Sequence, residues 1–151
     1  MFDDPAEAPL TVNFLLVADF SLIAFASAIE PLRLANRAMG RELYRSRLLS
    51  IDGQPVIASG GMMVHVDGAA RDLDRLKVLI VCSGIDVQRN TDEKLIALLR
   101  RASRQGTMIG AVCTGSFALA RAGLLQDRRC TIHWENIGGF SEEFPELELS
   151  A

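Results

Sequence analysis

The sequence predicts an α/β fold, in which helices cover both faces of a mostly parallel sheet. Three segments, at residues 11–18, 77–82 and 107–112, are short and almost wholly apolar, which is typical of strands buried on both faces. A segment with helical spacing of apolar residues follows each of them. Buried strands that alternate with helices form a doubly wound sheet, and such sheets bind ligands beyond the carboxyl ends of their strands.

Composition and charge are those of an ordinary globular domain. The chain has 151 residues, of which 49% are hydrophobic and 23% are charged, enough for one domain with a core. Its net charge of −3 provides no basic surface for DNA, so we expect these residues not to bind DNA themselves. No apolar run reaches the roughly 18 residues that a membrane span requires.

The three cysteines and the absence of nucleotide or zinc motifs limit the chemistry further. Cysteines 82, 113 and 130 fit neither a disulfide framework nor a zinc site, and reduced thiols indicate the cytoplasm. The sequence contains no phosphate-binding glycine loop and no metalloprotease motif. We therefore expect no metal ion and no cofactor.

The first part of the chain predicts a tail, a strand and a long helix. Residues 1–10 are acidic and rich in proline and alanine, so we expect a flexible tail before a single domain over 11–151. After the first strand, Ser21 is expected to cap a helix that Gly40 closes and that Pro31 kinks. A strand is predicted at 44–51, and two more at 56–59 and 62–66 around a glycine turn.

The second part repeats the pattern of strand and helix twice. After the strand at 77–82, Thr91 is expected to cap a helix that ends at Gly106. The buried stripe of that helix is predicted to contain Leu95, Leu98, Leu99 and Ala102. The strand at 107–112 leads directly into an alanine-rich helix that stops at Gly123. A short strand follows at 129–132, and residues 144–149 offer no closing element, which we interpret as a truncation of the domain.

Residues 110–115 (GAVCTG) match a nucleophile elbow with cysteine in place of the usual serine. A sharp turn from strand to helix exposes the side chain of Cys113 at the edge of the sheet. The N-terminus of the following helix favours the thiolate, and free backbone N–H groups there can hold an oxyanion. The alternative is a packed core cysteine.

Four further residues are expected around Cys113 because they follow strands of the same sheet. Ser83, Gly84 and Thr114 stand at the carboxyl ends of two core strands. His133 follows the short strand at 129–132 and is the candidate base of a cysteine–histidine pair. Its alternative is a structural histidine held by the neighbouring backbone or by Trp134. Cys82 is interpreted as a packed core residue.

One carboxylate of the first helix is a further candidate ligand-binding residue. Glu30 stands in an apolar helix beside the predicted kink, so we expect it to point inward. The alternative is a solvated carboxylate that pairs with Arg33 or Arg37. Both interpretations stay open at this point.

Six blocks of sequence resemble the amidotransferase-like regulators of the AraC family. They are residues 20–22 (FSL), 29–36 (IEPLRLAN), 40–44 (GRELY), 111–120 (AVCTGSFALA), 122–125 (AGLL) and 131–135 (TIHWE). The opening blocks are similar to the subgroup that regulates glycine betaine and carnitine catabolism. The resemblance implies a flavodoxin-like ThiJ/PfpI fold, related to class I glutamine amidotransferases. It also implies a homodimer that senses a small metabolite, an amino acid or a quaternary amine, with DNA bound by a helix-turn-helix domain that this chain lacks.

Two departures from the related enzymes favour a binding pocket over a catalytic one. Related hydratases and hydrolases carry an acidic residue early in the first helix, where this sequence has Ala24. Their strand before the crevice usually ends in two glycines, where this sequence has Ser83 and Gly84. The first alternative function is a cysteine-dependent hydrolase or an enzyme similar to isonitrile hydratase, with Cys113 and His133 as its catalytic residues. The second is a dimerisation module without a working pocket.

Overall fold

The chain folds around a five-stranded sheet in which every pair of neighbours is parallel. The computed structural model describes residues 8–72 and 74–150. Its strands are β1 (Leu10–Leu16), β2 (Tyr44–Ser50), β3 (Val56–Ile57), β4 (Met63–Val64), β5 (Gly68–Ala69), β6 (Val78–Cys82), β7 (Met108–Val112), β8 (Arg129–Cys130) and β9 (Glu148–Leu149). Its α-helices are α1 (Leu22–Met39), α2 (Val87–Asn90), α3 (Glu93–Arg104), α4 (Gly115–Arg121) and α5 (Ile137–Glu143), with 3₁₀ helices at Ala70–Asp72 and Trp134–Asn136.

The order of the strands confirms the predicted doubly wound fold. The central sheet runs β5-β2-β1-β6-β7, so the direction of winding reverses between β1 and β6. Apolar side chains fill both faces, as a parallel sheet requires. On one face Leu15 packs with α3, α4 and α5, and on the other Phe14 packs with Phe25 of α1. The carboxyl ends of β1 and β6 therefore meet at the switch point, where ligands bind in this class of fold.

Helix α1 begins and ends where the sequence predicts. Ser21 caps it, and the Ser21 hydroxyl accepts a hydrogen bond from the Ala24 amide at 3.4 Å. Gly40 closes it in the left-handed conformation, with φ at 61°. The helix continues through Pro31, and the kink at that residue stays a prediction. The tail predicted for residues 1–10 lies mostly outside the described residues, and Leu10 already belongs to β1.

Two predictions about helix and strand ends are wrong. Asp92, and not Thr91, caps α3, because the Asp92 carboxylate accepts a hydrogen bond from the Leu95 amide at 2.9 Å. Residues 144–149 do contain an element that was not predicted, since β9 pairs in parallel with β8; the interpretation as a truncated domain stays a prediction. Leu147 beside this strand is buried in the larger apolar cluster, which holds the segment in place.

The other predicted strands form, although several are shorter than expected. The segments predicted at 56–59, 62–66 and 129–132 are reduced to the two-residue strands β3, β4 and β8. Among residues 8–72 and 74–150, none of the helices has both the length and the apolar composition that a membrane span needs.

Candidate functional site

Cys113 occupies a sharp turn between β7 and α4. Strand β7 ends at Val112 and helix α4 begins at Gly115, so two residues make the whole connection. Cys113 takes a left-handed backbone conformation, with φ at 58°. Residues other than glycine adopt this conformation rarely, and at functional sites it persists because the surrounding structure enforces it. The predicted elbow is therefore present at Cys113.

Two glycines allow the elbow to form. A Cβ atom on Gly115 would lie 2.6 Å from the Val81 carbonyl oxygen and 3.1 Å from the Cβ of Ala111. A Cβ atom on Gly84 would lie 2.7 Å from the Ser21 nitrogen. Such distances exclude any side chain, so Gly115 lets α4 begin directly against β6, and Gly84 lets the loop after β1 lie against the end of β6.

Hydrogen bonds tie together the three loops that follow β1, β6 and β7. The Thr114 hydroxyl donates to the Gly84 carbonyl oxygen at 2.6 Å. The Ser21 amide donates to the Ser83 carbonyl oxygen at 3.1 Å, and Phe20 forms an isolated bridge with Gly84. The structure thus brings Ser83, Gly84 and Thr114 together beside Cys113, as the carboxyl ends of neighbouring strands predict.

The Ser83 side chain supplies an unused polar group at this point. Ser83 is 1% exposed, and its hydroxyl oxygen has no hydrogen-bond partner among the described residues. A buried hydroxyl without a partner is unfavourable, by about 1–3 kcal/mol. The Ser83 hydroxyl is therefore a buried hydrogen-bonding group at the end of β6 that the described residues leave unused.

The two cysteines near the elbow differ in exposure. The Cys113 thiol is free and partly exposed, whereas Cys82 is fully buried at the end of β6. Burial, and secondly the neighbouring Cys113, raise the pKa of the Cys82 thiol to about 12. Cys82 is therefore a packed, protonated core residue, as predicted, and Cys113 is the thiol that solvent and ligands can reach.

His133 stands at the start of a 3₁₀ helix and is held locally. Its Nδ1 lies 3.8 Å from an oxygen of Glu135, and its ring lies 5.7 Å from that of exposed Trp134, measured between centroids. Within residues 8–72 and 74–150, no hydrogen bond joins His133 to Cys113. These contacts agree with the alternative of a histidine held by its neighbours, and the proposed cysteine–histidine pair stays a prediction.

Glu30 does not point inward, contrary to our expectation. Its carboxylate is half exposed and accepts two hydrogen bonds from Arg33, at 2.6 and 2.9 Å. These bonds lower the pKa of the Glu30 carboxyl group. The spacing of three residues places both side chains on the same exposed face of α1, which is the solvated alternative. The methyl side chain of Ala24, in the first turn of α1, offers no proton donor to the elbow.

A spacious cavity lies beside the elbow region and not within it. Its volume is about 1140 Å³, and it extends from the carboxyl ends of β1 and β2 along α3. Asp19, Asp52 and Asn90 contribute polar groups to its lining, and none of the six predicted ligand-binding residues does so. Sequence reasoning missed this region, although Asp19 and Asp52 closely follow two strands of the sheet and could have indicated it.

Sequence comparison identifies the relatives of the chain. The profile of the DJ-1/PfpI family matches residues 11–141. The HTH-type transcriptional regulator GbdR of Pseudomonas aeruginosa is 45% identical over 142 residues, which are 94% of this chain and 39% of that protein. The regulator CdhR of the same species is 46% identical over 91% of this chain and 40% of that protein. The chain thus spans about two fifths of the length of these relatives.

An enzyme and a solved regulator are also similar to the chain. Isonitrile hydratase of Pseudomonas putida is 36% identical over 81 residues, which are 53% of this chain and 36% of that enzyme. The crystal structure of an AraC family transcriptional regulator from Pseudomonas putida superimposes with a TM-score of 0.79 at 29% identity. That match covers 94% of this chain and 76% of the other. The flavodoxin-like arrangement predicted from the sequence is therefore found in a solved regulator.

Proposed function

Because the chain belongs to the DJ-1/PfpI family, we propose that it is the ligand-sensing domain of an AraC-family transcriptional regulator. The observation that carries the proposal is an elbow at Cys113 to which the first helix offers no acid. The elbow retains Cys113, whereas Ala24 has no titratable group and Glu30 is engaged by Arg33 on the exposed face of α1. Turnover needs a group that directs protons as well as a thiolate. Such an elbow is better suited to binding than to catalysis, and the relatives that match most of the chain are named as regulators.

The proposed ligand is a small polar metabolite, an amino acid or a quaternary amine. Ser83 supplies an unpartnered hydroxyl and Cys113 a partly exposed thiol. Thr114 and Gly84 fix the shape of the floor, and His133 is proposed to close one side. Aromatic faces attract quaternary ammonium groups, and exposed Trp134 beside His133 offers one such face.

The proposed regulator acts in the cytoplasm as a homodimer and contacts DNA through a domain outside these residues. The net charge of −3 supports a division of labour in which these residues sense and another domain binds the phosphate backbone. Regulators that bind paired half-sites are commonly two-fold symmetric, which supports the dimer.

A thermal-shift screen of amino acids and quaternary amines tests the proposal. A ligand that binds only the folded state stabilises it and so raises the unfolding temperature. At a hundredfold excess over Kd, the free energy of unfolding increases by about 2.7 kcal/mol. We expect Cys113→Ala to weaken the response, and Cys130→Ala, in a different sheet, to leave it unchanged. If a ligand binds the parent chain and the Cys113→Ala and Ser83→Ala variants with the same affinity, its binding site does not include these two residues.

The second candidate function is that of a cysteine-dependent enzyme similar to isonitrile hydratase. The partly exposed Cys113 at a strained elbow favours it, because activated nucleophiles occupy such turns. It requires His133 to act as base, although the ring contacts Trp134 and Glu135 in this structure.

A further inference from the structure

Two cysteines end up side by side at the carboxyl edge of the sheet. Cys82 is the last residue of β6, and its register partner in β7 is Val112, which directly precedes Cys113. Neighbouring strands lie about 4.8 Å apart and one residue along a strand adds about 3.3 Å, so the Cα atoms of Cys82 and Cys113 are about 6 Å apart. Disulfides join residues whose Cα atoms are roughly 4.4–6.8 Å apart, so the spacing allows a bond.

The turn at Cys113 removes its side chain from the alternation that would point it away from Cys82. Cys82 and Val112 pack in the same apolar cluster, on the side of the sheet covered by α1. Successive residues of a strand point to opposite faces, so an extended residue 113 would point away from Cys82. The φ of 58° at Cys113 rotates the side chain out of that alternation. In agreement, the neighbouring Cys113 adds to the effect of burial in raising the pKa of the Cys82 thiol.

We propose that Cys113 and Cys82 form a reversible disulfide when a hydroperoxide oxidises Cys113. In the first step the Cys113 thiolate attacks the outer peroxide oxygen. The O–O bond breaks, the leaving alkoxide or hydroxide takes up the proton that the Cys113 thiol had released and departs as an alcohol or water, and Cys113 becomes a sulfenic acid. In the second step the Cys82 sulfur attacks the Cys113 sulfur and the S–O bond breaks. The released hydroxide takes the Cys82 proton and leaves as water, so one peroxide is reduced for two thiols oxidised.

The order of these steps follows from exposure. Cys113 is partly exposed and meets the peroxide first, whereas fully buried Cys82 does not. Burial also keeps Cys82 protonated, which slows its attack, and the fixed position beside the sulfenic acid compensates for this. The bond involves neither a ligand nor DNA, so this inference does not depend on the proposed function.

Peptide mapping of the intact, reduced chain after treatment with hydrogen peroxide tests the proposal. Cleavage after Lys and Arg separates the cysteines into peptides 78–89, 105–121 and 130–151. Free thiols are blocked with N-ethylmaleimide before digestion without reductant. We expect peptide 78–89 linked to peptide 105–121, with two hydrogens lost, and we expect dithiothreitol to restore both thiols.

Single variants identify the role of each cysteine. Cys130→Ser, the matched control, is expected to leave the linked peptide unchanged. Cys82→Ser is expected to abolish the link and to carry Cys113 on to the sulfinic acid, which dithiothreitol does not reverse. Cys82→Ala, with a thermal melt of each variant, separates this effect from a loss of folding. If the parent chain gives the sulfinic acid without a link, or a link between two copies of Cys113, the proposal is wrong.

Discussion

Three residues at the carboxyl edge of the sheet adopt a backbone conformation that normally belongs to glycine. Asp19, Asp86 and Cys113 have φ values of 59°, 52° and 58°. Each follows a different strand, β1, β6 or β7, and each is unfavourable by about 1–2 kcal/mol compared with an ordinary conformation. Strain of this kind, concentrated where the loops meet, is typical of a site whose geometry matters more than its stability.

The first prediction at this scale concerns turnover at Cys113. Without an acid at Ala24, we expect the chain to hydrate or hydrolyse isonitriles, amides and small aldehydes more slowly than about 1 s⁻¹, the low end for ordinary enzymes. The assay compares the parent chain with Cys113→Ala at saturating substrate. Faster turnover that disappears in Cys113→Ala would establish the enzyme instead of the sensor.

At the residue scale, the buried Cys82 thiol should also make the free energy of unfolding depend on pH. Burial raises the pKa of Cys82 from its usual 9.0 to about 12, so the unfolded chain loses this proton at lower pH than the folded chain. The contribution of the protonated Cys82 thiol to the free energy of unfolding is fully present below pH 9.0 and is lost as the pH rises toward about 12. The slope reaches about 1.4 kcal/mol per pH unit between the two values.

Urea unfolding between about pH 8 and about pH 11 measures this slope, and Cys82→Ala subtracts the contribution of every other group. We expect the free energy of unfolding of the variant to fall less steeply over this range. Parallel curves for the two chains would show that Cys82 ionises equally in the folded and unfolded states.

At the scale of elements, the cap of α3 gives a direct comparison of two neighbouring residues. Asp92→Ala removes the acceptor of the Leu95 amide, and we expect a loss of about 1 kcal/mol in the free energy of unfolding. Thr91→Val replaces a buried hydroxyl that has no partner among the described residues, so we expect no loss. Chemical denaturation of both variants measures the free energy of unfolding. An equal loss in the two variants would contradict the assignment of the cap to Asp92 alone.

The junction of β6 and α4 provides a second comparison, between glycines. Gly115→Ala forces a Cβ atom against the Val81 carbonyl oxygen, and we expect a loss of stability of about 1–3 kcal/mol. Gly138→Ala, in α5, meets no atom within 4 Å and should gain about 0.5–1 kcal/mol. Thermal melts of the two variants should therefore shift in opposite directions. A tolerated Gly115→Ala would mean that α4 can move away from the sheet.

Elements with a strong local signal were predictable from the sequence, and those that depend on distant partners were not. The apolar runs of β1, β6 and β7 predicted the sheet, and Ser21 and Gly40 predicted the ends of α1. Strand β9 exists because it pairs with β8 some twenty residues earlier, which no local pattern reveals. At the site, the ends of strands predicted that Gly84 meets Thr114. The orientation of Glu30 was not predictable, because it depends on which side of α1 faces the sheet.

At the scale of the whole molecule, the charge leads to a prediction about DNA. With a net charge of −3, the chain is expected to show no sequence-specific binding to DNA at physiological salt. A mobility-shift assay with a promoter-length duplex and an unrelated duplex checks this. Tight binding that prefers one duplex would contradict the assignment of DNA contacts to a different domain.

The bonds between the three loops imply that the site opens as one unit. The Thr114 hydroxyl is bound to the loop after β6, and the Ser21 amide is bound to the same loop from the side of β1. Opening any one loop therefore breaks contacts of the other two, so their backbone amides should exchange with deuterium at a common rate, set by a single local unfolding event. A metabolite that contacts only one loop would therefore slow amide exchange in all three loops. Its binding would stabilise the backbone on both sides of the switch point between β1 and β6.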